Sequence, residues 1–289
     1  MMLTVFTPTY NRAGYLQRLY ESLRRQKQQD FEWLVVDDGS TDDTAQVVKS
    51  FQAQSDLTIR YVCKENGGKH TAYNEALKHA RGNWFLCVDA DDYLSDDALE
   101  WLFGMLAQLP EDQGVAAYKS DQTGKTLSDA FPAEVTTCKI SDLSLRLNCR
   151  GEFTFVFPTK MAREYPFPEF PGEKFVGENV VYDRIEQVCP VNLLGQVITV
   201  CEYLPDGYSQ NFGGLMKKNP SGFCVYFLQR IDLIPGLVGR WSCAGKYWCF
   251  RFISGNKTLK YHGPHKGAWV LGWPLGLAFR LYYKLLRGF

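Results

Sequence analysis

Three short polar clusters carry residue types that could do chemistry. The first is Asp89-Ala90-Asp91-Asp92, three carboxylates within four residues. Like charges this close raise one another's pKa unless something positive sits among them. Carboxylate oxygens are hard ligands that suit Mg2+ or Mn2+, ions that also bind diphosphate oxygens. The second cluster is Asp37-Asp38, which opens Asp37-Asp38-Gly39-Ser40-Thr41-Asp42-Asp43. An acidic pair here could accept hydrogen bonds from a nucleobase N–H or a ribose hydroxyl. The third is Asn66-Gly67-Gly68-Lys69-His70. Its glycines let backbone approach a ligand ahead of a helix N-terminus, and Lys69 adds a mobile positive charge. The full Gly-x-x-x-x-Gly-Lys-Ser/Thr phosphate loop is absent. Each cluster also has a plainer alternative. The acidic ones read as helix-capping turns and the glycines as an αL turn.

The elements around these clusters alternate between strand and helix. Residues 3–7, 31–36, 58–63 and 84–88 are short apolar runs that predict strands, with Pro8 expected to stop the first. Helical spacing is found over 15–26, in a segment capped by Ser40 or Thr41 with Asp42 and Asp43 in its first turn, over 70–80, and from Asp96 onward. Near-continuous apolar strands alternating with helices predict a mostly parallel sheet covered on both faces. The polar clusters follow the carboxyl ends of the strands, the edge where ligands bind in open α/β sheets. Residues 8–12, 37–43, 65–70 and 89–92 are thus expected to converge on one crevice.

Together these segments resemble glycosyltransferase family 2, an inverting family with the GT-A fold. The matching pieces are Thr7-Pro8-Thr9-Tyr10-Asn11-Arg12, Val35-Val36-Asp37-Asp38-Gly39-Ser40-Thr41-Asp42, Glu65-Asn66-Gly67-Gly68-Lys69 with Ala72-Tyr73-Asn74, and Phe85-Leu86-Cys87-Val88-Asp89-Ala90-Asp91-Asp92. The resemblance is specific over about residues 2–105 and looser to about 210. It implies that Pro8 and Tyr10, with Asp37 or Asp38, hold the nucleoside of a UDP-sugar. Asp89 would approach the ribose or the sugar, and Asp91 would ligate Mn2+ or Mg2+ at the diphosphate, with Asp92 assisting. Lys69 would contact the donor's base or phosphate. The catalytic base is a later carboxylate, matched here by Glu178-Asn179, with Glu173 as the competing residue. The rival functions are a sugar-nucleotide nucleotidyltransferase and a non-catalytic nucleotide-sugar-binding module.

The chain has 289 residues, 45% of them hydrophobic, enough for a sizeable core. Net charge is zero, which argues against a nucleic-acid partner. The charge is unevenly spread. Residues 240–289 hold nine Lys or Arg and no Asp or Glu, leaving 23 basic against 32 acidic residues before them. The nine scattered cysteines form no Cys-x-x-Cys pair and read as reduced thiols of a cytoplasmic protein. His70 and His79 read as structural or exposed, Trp33 and Trp84 as core or sheet-edge residues, and Arg146 and Arg150 as surface groups or phosphate contacts. A signal peptide and an ordinary transmembrane run are not expected. After Asp206-Gly207-Tyr208-Ser209 the organisation changes, and residues 223–234 look helical. The expected division is a catalytic domain over 1–235, with a donor half to 105 and an acceptor half beyond it, and a basic aromatic extension over 236–289. That extension suits an interfacial helix on the anionic inner face of a membrane, serving a lipid-linked glycan acceptor, or a helix packed on the acidic domain.

Overall fold

The computed structural model describes residues 3–54, 56–202 and 212–287. The Asp206–Ser209 segment lies outside the described residues. Two compact units are present. One comprises residues 3–166 with 184–202, and the other 167–183 with 212–287.

The first unit is built on one sheet. Its elements are β1 (Leu3–Thr9), α1 (Ala13–Arg24), β2 (Phe31–Asp37), α2 (Thr44–Gln54), β3 (Thr58–Cys63), α3 (Lys69–His79), β4 (Trp84–Cys87), β5 (Tyr93–Leu94), α4 (Ala98–Leu106), β6 (Gly114–Ser120), β7 (Thr137–Cys138), α5 (Ile140–Leu145), β8 (Phe153–Pro158), α6 (Thr159–Glu164) and β9 (Val191–Val200); α7 (Asn179–Ile185), which precedes β9, belongs mostly to the second unit. The strand order is β3-β2-β1-β4-β8-β6-β9-β5, and β7 pairs with β9. β1 to β4 are mutually parallel. Beyond them the sheet is mixed, because β8 is antiparallel to both β4 and β6 while β6 and β9 are parallel.

Both faces of the parallel half are apolar, which is why β1 and β2 are buried along their whole length. On one face Trp33 stacks with Tyr20 and Phe51, the last two 4.1 Å apart between ring centroids. On the other, Phe6, Phe85 and Tyr73 pack together. Trp33 and Trp84 are both core residues.

Three local expectations differ from the structure. Pro8 does not end β1, which runs on to Thr9. The Leu3 N–H donates to the Asp30 carbonyl and the Thr9 carbonyl accepts from the Asp38 N–H, so odd-numbered residues bond toward β2. Pro8 faces the β4 side, where the ladder already ends at Phe6 opposite Cys87. Its missing N–H therefore costs no ladder bond. The second helix starts at Thr44, so Asp42 lies ahead of it and accepts from the Thr44 N–H and hydroxyl. Ser40 is used elsewhere, accepting from the Asn11 N–H.

The second unit holds α8 (Phe212–Lys218), α9 (Pro220–Leu233), α10 (Leu237–Ser254) and α11 (Lys266–Arg287). Phe223 of α9 stacks on Phe250 of α10, which meets Tyr283 of α11. Helix α9, grouped by sequence with the catalytic part, thus shares its core with the two helices after residue 235. Among the described residues, no helix is long and apolar enough to cross a membrane. All nine cysteines are free thiols.

Candidate active site

Strand register brings the polar clusters to one edge. Thr9 pairs with Asp37 and Asp37 with Cys63, while Phe6 pairs with Cys87 on the other side of β1. The segments 8–12, 37–43, 65–70 and 89–92 therefore leave the sheet side by side. The first two brace each other. The Asn11 N–H donates to the Ser40 hydroxyl at 2.8 Å, the Thr41 N–H donates to the Asn11 side-chain carbonyl at 2.7 Å, and the Ala13 N–H reaches Asp42. Asn11 holds the left-handed conformation this requires, at φ 51°, a region Asn tolerates better than most residues. Tyr10 stands 48% exposed beside this brace, and Pro8 is buried.

The acidic pair divides into two roles. Asp38 is buried and receives the Gly67 N–H at 2.9 Å, the Gly68 N–H at 2.6 Å and the Lys64 ammonium at 2.8 Å. It fastens the glycine turn that leads into α3. Gly68 has φ 93°, a conformation natural to glycine. Asp37 accepts from the Tyr61 hydroxyl at 2.5 Å and the Ser40 N–H at 2.7 Å. Lys64 stands out little in the sequence. Its only signal is its place one residue past the end of β3.

Lys69, in the first turn of α3, reaches both oxygens of Asp89, at 2.7 and 2.8 Å. Burial would raise the Asp89 carboxyl, but Lys69, helped by Lys119, holds it below the ordinary range. For Asp91 the balance reverses. Burial first, and then the Asp89 charge, push its carboxyl up against the pull of Arg12 and Lys69. Burial also lifts Asp92 to about 6 despite Lys119 at 3.6 Å, with Asp89 and Asp91 adding to the rise. The Cys201 thiol donates to Asp92 at 3.3 Å. Arg18 closes the far side, giving one N–H to the Asp91 carbonyl and pairing with Glu202. Lys119, near the end of β6, and Arg18 carry no signal in local sequence pattern, because their partners lie far away in the chain.

The three carboxylates are thus unequal. Asp89 is paired with Lys69, Asp92 is buried, and the Asp91 carboxyl is pushed up by burial and by Asp89, which Arg12 and Lys69 offset only in part. Among the described residues, no group of three or more His, Cys, Asp or Glu side chains could hold a metal by itself. This donor set fits a Mg2+ or Mn2+ ion held by one carboxylate, with phosphate oxygens and water completing its shell.

In the second unit the two candidate bases differ. Glu173 spends both carboxylate oxygens on the Ser221 and Gly222 N–H groups, at 2.8 and 3.0 Å, in the first turn of α9. It is a helix cap. Glu178 is exposed, and its backbone carbonyl opens α7 by accepting from Val181 and Tyr182. Of the remaining singled-out residues, His70 is buried and His79 pairs with Glu75. Arg146 pairs with Asp142, and Arg150 is exposed.

A partly parallel sheet with acidic strand ends at its carboxyl edge is the GT-A class of α/β fold. The chain belongs to Glycosyl transferase family 2, whose family model matches residues 4–162, more than half its length. Glycosyltransferase GlyA of Streptococcus pneumoniae is 35% identical over 118 residues, covering 41% of this chain and 17% of that protein. The poly(ribitol-phosphate) beta-N-acetylglucosaminyltransferase TarS of Staphylococcus aureus is 38% identical over 102 residues, 35% of this chain and 18% of TarS. The matches thus span less than a fifth of either relative. Among solved structures, S. aureus TarS 1–349 in complex with UDP-GlcNAc aligns with TM-score 0.62 at 20% identity, over 94% of this chain and 79% of that one. The mannosyltransferase PcManGT of Pyrobaculum calidifontis, in complex with GDP-Man and Mn2+, aligns with TM-score 0.56 at 18% identity, over 98% and 87%. These two likenesses are of fold.

Proposed function

We propose that this chain is a metal-dependent, inverting glycosyltransferase that moves a sugar from a UDP-sugar to a lipid-linked glycan acceptor in polysaccharide assembly, at the cytoplasmic face of a membrane. The observation that carries this reading is the unequal acidic trio. Asp91, whose carboxyl pKa is pushed up by burial and by the Asp89 charge, stands at the strand-end edge beside the Lys69–Asp89 pair. The relatives support the donor class, since TarS is solved with UDP-GlcNAc and the Pyrobaculum enzyme with GDP-Man and Mn2+.

In this reading Tyr10 and Asp37 border the nucleoside, over the turn that Asp38 fastens. Asp91 would hold the ion, with Asp92 behind it. A bound divalent ion supplies charge neutralisation on the leaving diphosphate. Lys69 adds a second positive charge near the same oxygens, while Asp89, held ionised by Lys69, accepts from a ribose or sugar hydroxyl. Glu178 removes the proton of the acceptor hydroxyl as it attacks from the opposite face of the sugar. A single displacement inverts the anomeric carbon and needs no covalent nucleophile. The test is a thermal-shift screen of UDP-GlcNAc, UDP-glucose and GDP-mannose with and without Mn2+. A UDP-sugar that stabilises the protein more with Mn2+ than without supports the reading. No stabilisation by any of the three overturns it.

A further inference from the structure

The C-terminal helices carry a surface for which the catalytic reading has no use. Helix α11 has two opposite faces. One is locked to α10 by small residues, since a Cβ on Gly272 would stand 2.6 Å from the Ala244 Cβ, and one on Gly276 would stand 2.5 Å from the Trp248 Cβ. Trp269 and Tyr283 join the core on this inner side, against Tyr247 and Phe250. The other face is apolar and uncovered. Val270, Leu277, Leu281 and Leu285 fall on one stripe at 3.6 residues per turn and are 57, 41, 57 and 71% exposed, with Leu271 beside them. Exposed Lys266, Trp273, Arg280 and Lys284 run along one edge of that stripe. Helix α10 extends the patch. Leu237 and Val238 at its start are each 78% exposed, and one turn on the Trp241 indole N–H donates to the Leu271 carbonyl at 2.8 Å.

We propose that this two-helix patch docks on an anionic lipid bilayer. Helix α11 lies flat, its leucine stripe among the acyl chains and its basic edge at the headgroups. Leu237, Val238 and Trp241 enter beside it. An apolar face with a cationic border is the pattern of an interfacial helix. A second copy of the chain suits the patch less well, because the last acidic residue is Asp232, which accepts from the Tyr261 hydroxyl. Two such patches face to face would set cation against cation. Because no described helix can cross a bilayer, the helix rests on the membrane. The proposal rests on the glycosyltransferase reading only for its purpose, which is to hold the enzyme near a lipid-linked acceptor.

Deleting the last helix is a poor test, since Trp269 and Tyr283 belong to the core. Point changes on the exposed side spare it. Full-length protein is sedimented with phosphatidylglycerol and with phosphatidylcholine vesicles, without donor, at low and high salt. Two triple variants are compared with it. One carries Leu277→Gln, Leu281→Gln and Leu285→Gln, and the other Lys266→Gln, Arg280→Gln and Lys284→Gln. Each cation near an anionic leaflet is worth about fivefold in partitioning, so the second variant loses about a hundredfold. Binding to phosphatidylglycerol alone, weakened by salt and by both variants, is the expected result. Full-length protein left in the supernatant at low salt overturns the proposal. So does undiminished binding by both variants, or a dimer in light scattering that the leucine variant dissociates. Thermal melts without vesicles verify that the variants fold. The thermal shift with nucleotide-sugar, which these changes leave unaltered, keeps this outcome separate from that of the catalytic reading.

Discussion

Asp38 offers the sharpest separation between a ligand contact and a structural anchor. Asp38→Ala removes one buried carboxylate and strands three donors: the Gly67 N–H, the Gly68 N–H and the Lys64 ammonium. A hydrogen bond to a charged group contributes about 1.5–3 kcal/mol, and removing one partner of a buried ion pair costs about 3–5 kcal/mol. Lys64 recovers part of this, since it also reaches Thr71 and the Glu65 carbonyl and is one-fifth exposed. The expected loss is therefore about 3–4 kcal/mol. At roughly 2–4 °C per kcal/mol for a large domain, Tm falls by about 6–16 °C. Differential scanning calorimetry without ligand measures this directly. Donor binding weakens too, but only because the turn carrying Lys69 has come loose, so Asp38→Asn, which can still accept one N–H, falls between the two. If Asp38→Ala melts within about 2 °C of the parent and yet binds no nucleotide-sugar, Asp38 is a donor contact and the anchoring role assigned to it is wrong.

Four other outcomes follow from the same geometry. Asp91→Asn abolishes metal-stimulated turnover while the metal-free protein melts at the same or a higher temperature, since a partly uncompensated charge is removed; unchanged Mn2+-dependent activity refutes the ligand assignment. Glu178→Gln lowers transfer by about 10²–10⁴ with donor affinity kept, whereas Glu173→Gln costs about 1 kcal/mol of stability through the α9 cap, and kinetics beside melting curves tell the two apart. Burial works against ionised Glu32, but the Arg81 N–H, the Thr4 hydroxyl and Arg60 overcome it and lower its pKa in the fold. A lowered folded value stabilises above the unfolded pKa and is lost as pH falls, so the deficit of Glu32→Gln in urea melts is full at pH 7 and shrinks below about pH 4.5. Gly276→Ala drives a methyl into α10 and destabilises by about 1–3 kcal/mol, which chemical denaturation would register and an unchanged midpoint would contradict.

The parallel half of the fold was legible because its strands are buried on both faces and so stand out as apolar runs. Residues 58–63 match β3 end to end. The mixed half was not. β6 reads Gly-Val-Ala-Ala-Tyr-Lys-Ser, with no alternation to mark it, and its neighbours β8 and β9 lie far away in sequence. Pro8 misled because the side of a strand on which a ladder ends is a tertiary fact. The acidic clusters were visible as clusters, but not their division of labour. Which aspartate is spent on Lys69 or on a glycine turn, or turned inward beside Lys119, depends on Lys64, Lys69 and Lys119, brought in from other parts of the chain. In the C-terminal helices, a basic and aromatic composition suggested either a packed or a membrane-facing helix. Gly272 and Gly276, unremarkable as letters, show that one side of α11 packs and leaves the other side open.

The brace through Asn11, Ser40, Thr41 and Asp42 bears on what a ligand would have to order on binding. Both loops are tied to each other by protein groups alone. Ordering a free backbone residue takes roughly 1–2 kcal/mol of entropy at room temperature. For these loops that cost falls on folding and is not repeated at each binding event. At the proposed donor site, a nucleotide-sugar would meet loops whose shape the protein itself sets, and its contacts would go into affinity and not into ordering them.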